Sequence, residues 1–207
     1  MINCSRWKEL TESLKFHANV AHIARAPSEF RFLNEYAPIS LGLNSTSDEH
    51  FLRVLQIFET SPCGGTPICY HMQAVAIAVK GFESQLLANG QRAVVMICTD
   101  GEASDGDIAD ALRPLKSLPV LIILKLCTDD DRIVEYWNNV DRELELDMDV
   151  LEDFTVEAKE VHAQNPWLTY GEHLHLLRSF GAKTKELDLL DEVTLSVDQM
   201  LSFCAML

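Results

Sequence analysis

The sequence predicts an α/β domain in which a mostly parallel sheet is covered by helices on both faces. Two apolar runs carry that expectation, Ala93-Val94-Val95-Met96-Ile97-Cys98 and Val120 to Leu126, each long enough for a strand buried on both sides. Both runs are bracketed by segments with apolar residues at helical spacing, the alternation that builds parallel sheets. The composition agrees: 207 residues that are 47% hydrophobic and 24% charged, with mean hydropathy near zero, suffice for one sizeable core. Neither a disordered chain nor a repeat array has this profile.

Taken in order, Trp7, Leu10, Leu14, Ala18, Ala21 and Ala24 recur every three or four residues, so a helix is expected to end near Arg25, ahead of Pro27. Phe30 to Asn34 alternates and is rich in aromatics, the pattern of a strand. A second short strand near Ile39 to Leu43 is expected to pair with it across Glu35-Tyr36-Ala37-Pro38, at a sheet edge because of Pro38 and Gly42. Thr46 and Glu49 form a capping-box pattern before Phe51, Val54, Leu55 and Phe58, which gives a helix. After the turn Ser61-Pro62-Cys63-Gly64-Gly65, a long helix is expected with Thr66 at its N-cap and Pro67 in its first turn. The strand Ala93–Cys98 runs into Thr99-Asp100-Gly101, and Asp105-Gly106-Asp107 opens a helix carrying Ile108, Leu112 and Leu115. Past Val120–Leu126 come a helix around Ile133, Trp137 and Val140, a strand near Asp149–Phe154, a helix from about Thr169 to Phe180 closed by Gly181, and a terminal helix from about Ser196.

Charge narrows the function classes. Acidic residues number 32 against 17 basic ones, net −15, with residues 1–127 near balance and 128–207 holding 19 acids and 6 bases. A chain this acidic lacks the footprint that draws proteins onto nucleic acid or anionic lipid. The six cysteines show no CxxC or Cys/His ligand spacing, so they read as reduced thiols in a cytoplasmic or otherwise intracellular protein. No leader or membrane-spanning segment is visible; the longest apolar stretch is Pro119 to Leu124.

Ligands of open parallel sheets gather beyond the carboxyl ends of the strands. Two features fall there: Gly64-Gly65-Thr66-Pro67, which offers a hydroxyl at a helix start, and Thr99-Asp100-Gly101-Glu102-Ala103-Ser104-Asp105, which offers carboxylates after a buried strand. With this pair, about thirty residues apart, the sequence resembles the von Willebrand factor A (vWA) domain family from its first helix to about residue 155. The resemblance implies a three-layer, doubly wound, Rossmann-like fold over residues 1–160, with 161–207 as a helical extension packed on the same domain. It also implies a metal-ion-dependent adhesion site, in which Thr66 would ligate the cation directly and Asp100 would hold a metal-bound water. Mg²⁺ held by hydroxyls and few carboxylates stays electrophilic enough to accept an acidic side chain from a partner protein.

The sequence departs from the family at its start. The family's D-x-S-x-S loop, which ends its first strand, is absent, and Asn3, Cys4 and Ser5 supply no carboxylate in its place. Three of the family's five ligand positions are therefore missing. A degenerate site follows, with no cofactor expected and Mg²⁺ or Mn²⁺ bound weakly at most. The family's first strand lies between those matching Phe30–Asn34 and Ala93–Cys98, so these two are expected to close up or the cleft to be filled from elsewhere, because buried unpaired backbone groups cost roughly 1–3 kcal/mol each. A divergent module, a fragment and an incomplete reading of the gene are all compatible with this start.

Blander readings stand beside these. Thr66 serves equally as a helix cap and Asp100-Gly101 as a turn. Glu102, Asp105, Asp107 and Asp110 lack calcium-loop spacing and suit a solvated helix start. His173 and His175 lie on different helical faces, and His71 reads as a core-edge residue. Cys63 has no histidine partner assigned by sequence. The segment Asn165 to Gly171 is either a docking loop or a Trp167/Tyr170 pin for the C-terminal helices.

The expected function is a non-enzymatic protein-interaction module whose contact surface holds Thr66 and Asp100 to Asp107. A small Mg²⁺-dependent hydrolase or phosphotransferase using Asp100, Glu102 and Asp105 is the second reading. Residues 99–112 hold no lysine or arginine to clamp a phosphate, which favours the first.

Overall fold

The computed structural model describes residues 6–34, 37–42, 47–128, 130–151, 154–182 and 184–206. In chain order these form α1 (Arg6–Ile23), β1 (Ser28–Phe30), β2 (Ile39–Leu41), α2 (Ser47–Phe58), α3 (Ile68–Ala88), β3 (Ala93–Thr99), α4 (Ile108–Leu112) running into a 3-10 turn at Arg113–Ser117, and β4 (Val120–Leu126). Then follow α5 (Asp131–Leu144), β5 (Met148–Leu151), α6 (Phe154–Gln164), α7 (Glu172–Ser179), α8 (Lys185–Asp188) and α9 (Val197–Met206).

The protein is mixed α/β, with a parallel sheet of order β3-β4-β5 flanked by helices. Every residue of β4 is buried, which explains its unbroken apolar run. Val120, Ile122, Leu124 and Leu126 join Ile97, Trp137 and the apolar residues of α3 and α4 in the main core on one face. On the other face Leu121 and Ile123 meet Leu151, and Lys125 donates to Ser13 of α1.

Polar groups beside that apolar patch tie distant segments to the sheet. Arg178 of α7 bonds Glu157 of α6 at 2.7 Å and approaches Asp149 of β5 at 3.5 Å and Asp191 at 3.7 Å. His17 of α1 lies 2.9 Å from Ser179 and packs against Phe180 with the rings tilted by 34°. A left-handed Gly181 (φ 85°) ends α7, where a Cβ would meet Val94 at 2.8 Å and Leu121 at 3.2 Å. Only glycine permits this approach of the α7 terminus to the sheet. Residues 165–170 act as a pin: buried Asn165 donates to the carbonyls of Leu190 and Val193 and accepts from the Leu195 amide, while Trp167 packs on Phe203.

The strand expected at Phe30–Asn34 forms two residues earlier, as β1, and pairs antiparallel with β2 (Phe30 opposite Ile39). Phe30 and Phe32 are drawn instead into a small cluster with Phe58 and Val54, capped by α1 and α2. The first of the two expected outcomes for the cleft does not occur: among the described residues β1 and β2 make their own two-stranded sheet instead of closing up on β3, and β3 keeps one edge without a strand beside it. The capping box at Thr46 lies outside the described residues, as do Asn3, Cys4 and Ser5. Helix α6, which shows no clean amphipathic period in the sequence, is an additional element. No helix among the described residues is long and apolar enough to cross a membrane.

Candidate functional site

Helix α3 begins at Ile68 rather than Pro67, and its N-cap is Pro67, which offers no side-chain acceptor. Thr66 is therefore not the cap. Its carbonyl accepts from Ile68 at 2.8 Å, and the cap is supplied from a distant loop: Asp105 accepts the amides of Cys69 at 3.0 Å and Tyr70 at 2.8 Å, one on each oxygen. Burial alone would raise the Asp105 carboxyl, but those two amides and the Cys69 thiol outweigh it and hold the group below the usual aspartate range.

The same two loops are joined a second time. The Thr66 amide donates to Ser104 Oγ and the Ser104 amide donates back to the Thr66 carbonyl, both at 2.9 Å. Asn34 clamps the glycine pair by donating from Nδ2 to the carbonyls of Cys63 at 2.7 Å and Gly65 at 3.1 Å. Gly64 has a φ of 96°, and a Cβ there would fall 2.6 Å from the Asn34 side chain, so this contact requires glycine. On the other side of the rim, Thr99 Oγ1 caps the turn through the Gly101 amide at 3.2 Å, and the fully buried Trp137 donates to the Gly101 carbonyl at 3.2 Å.

Loops 63–67 and 99–105 thus form one surface at the carboxyl ends of the strands. Asp100, Glu102, Asp105 and Asp107 are exposed on it, and Thr66 is half-buried with its hydroxyl bonded to no described residue. Asp107 caps α4 by accepting from Ala109 at 2.9 Å. Sequence reasoning missed Asn34, Ser104 and Trp137 as the parts that hold this surface, and it missed one cation. Arg132 at the start of α5 feels the charge of Glu102, although its guanidinium is bonded to Asp130 at 2.6 Å. The glycine pair, the Thr-Asp-Gly turn and the acidic helix start were legible, whereas the partners that lock them are set by tertiary placement.

The donor set fits a resident Mg²⁺ poorly. A six-oxygen shell would start from the Thr66 hydroxyl and the Asp100 carboxylate, since both Asp105 oxygens are already bonded to amides. Among the described residues, no group of three or more His, Cys, Asp or Glu is placed to hold a metal ion. Two of the histidines lie elsewhere: His71 is buried and donates from Nε2 to the Leu33 carbonyl at 3.0 Å, and His175 lies 3.3 Å from the Tyr170 hydroxyl. Cys63, Cys69, Cys98, Cys127 and Cys204 are all free thiols. Compared with known proteins, the chain matches no family model, no curated protein and no solved structure.

Proposed function

We propose that the chain is a non-enzymatic protein-interaction module of vWA type, with a degenerate metal site, and that it binds its partner at the rim built by loops 63–67 and 99–105. The supporting observation is the double tie between those loops, Thr66 with Ser104 and Asp105 with the start of α3, which leaves Asp100 and Glu102 exposed on a preformed surface. Preorganised rims of this kind bind with a reduced ordering cost. The hydrolase or phosphotransferase reading is the weaker: Asp105 is engaged as a helix cap, and Arg132, which feels the charge of Glu102, is held by Asp130.

Photo-crosslinkers placed singly at Thr66 and Glu102, and at Lys116 as a control in the 3-10 turn before the amino end of β4, test the reading in cell extract. One protein of defined mass should be captured at both rim positions, not at Lys116, and be lost when Asp100→Arg is introduced. Equal capture at all three positions, or phosphate release from a phosphoester panel abolished by Asp100→Asn, would overturn it.

A further inference from the structure

The backbone of β3 has a defined direction of pairing. The Ala93 amide donates to the Pro119 carbonyl and the Thr99 carbonyl accepts from Cys127, both at 2.8 Å, so Ala93, Val95, Ile97 and Thr99 turn their backbone groups toward β4. By the two-residue period, Val94, Met96 and Cys98 turn theirs away. No strand or loop among the described residues pairs with them. Exposed strand edges in monomers carry charges, prolines or bulges that block pairing. Ala-Val-Val-Met-Ile-Cys-Thr carries no charge, proline or glycine, its register with β4 is unbroken, and Val94 is 44% exposed.

We propose that this edge pairs antiparallel with β3 of a second copy of the chain, making one continuous sheet of six strands across a two-fold axis at Met96. A two-fold contact must be self-complementary, and this register is. It overlaps all seven residues and sets Val94 opposite Cys98, and Met96 opposite Met96, as hydrogen-bonded pairs. Just beyond each end it sets Arg92 of one copy opposite Asp100 of the other. Both are exposed, and among the described residues Arg92 bonds the surface carboxylate of Asp147 through one Nη, which leaves its guanidinium able to share a second one. Every shifted centring shortens the ladder and sets Arg92 or Asp100 against an apolar residue. The two symmetry-related Arg92–Asp100 pairs at the ends of the ladder favour this register over the shifted ones and offset part of the repulsion between two chains of net −15.

Sedimentation velocity across a concentration series, with amide exchange on the same samples, tests this. The wild-type chain should form a dimer, with the Val94, Met96 and Cys98 amides protected only when dimeric. Val94→Lys should raise the dissociation constant at least about tenfold while the far-ultraviolet circular dichroism stays unchanged. Arg92→Asp and Asp100→Arg should each weaken the dimer, and the two together should restore it, a rescue that a folding defect cannot produce. A monomer at every soluble concentration would overturn the proposal, as would a dimer indifferent to these variants. So would edge amides already protected in the monomer, which would show that the chain covers the edge itself.

Discussion

Asp105 and Cys69, thirty-six residues apart, are joined by a 3.0 Å hydrogen bond in which a loop carboxylate caps a helix it does not belong to. The bond makes the start of α3 depend on the loop that follows β3. Asp105→Ala is therefore expected to lower stability by about 1–2 kcal/mol, the worth of a lost helix cap, and Asp105→Asn by much less. Chemical denaturation of the two variants checks this. A loss as small as that of a control change at Asp110 would mean that the tie contributes nothing.

Buried Arg178 faces Glu157, Asp149 and Asp191. Arg178→Met should cost about 3–5 kcal/mol because it strands buried carboxylates, whereas Arg178→Met combined with Glu157→Leu should recover part of the loss. A double-mutant cycle in urea measures the coupling.

His17 is held at about 4 by burial and by the charge of Lys125, well below its ordinary value. Since the unfolded chain takes up this proton near pH 6.5 and the folded one only near 4, this group's contribution is complete above pH 6.5 and lost as pH falls toward 4. The loss is on the order of 3 kcal/mol. Unfolding free energy measured from pH 7 to 4 should fall along this course in the wild type and more shallowly in His17→Phe.

Lys125 is 6% exposed and bonds Ser13 at 3.2 Å, with no carboxylate beside it among the described residues. Replacing a buried cation by an apolar side chain of similar length removes a desolvation cost. Lys125→Met is expected to raise the melting temperature and, by removing the repulsion, to bring the His17 titration upward in an NMR pH series. A lowered melting temperature with an unmoved His17 would contradict both parts.

The rim donors make a fifth expectation, about ions. Calorimetric titration with Mg²⁺ or Mn²⁺ should give no one-to-one isotherm in the micromolar range, and Thr66→Ala should leave the trace unchanged.

The legible parts of this fold are those whose signal is local. Ala93–Thr99 and Val120–Leu126 declare themselves because a strand buried on both faces must be apolar throughout. The first strand was misplaced by two residues because Phe32 and Leu33 carry a strand's composition but are used as packing, Phe32 against Phe58 and Leu33 against the main core. Thr66-Pro67 looks like a helix start on local rules, yet the cap comes from Asp105, and no local rule reaches across thirty-six residues. The rim was legible as two turn motifs; Asn34, Ser104 and Trp137, which lock them, are ordinary residues until the chain is folded.

The buried members of the main core all lie between Ile68 and Met148, one uninterrupted stretch of chain, whereas α1 reaches its partners Ser179 and Lys125 across more than a hundred residues. Loop closure within the first set is entropically cheap and in the second costly. The order of assembly expected from this is that the α3-to-β5 unit collapses first and that the long-range contacts of α1 with Ser179 and Lys125 form on it later.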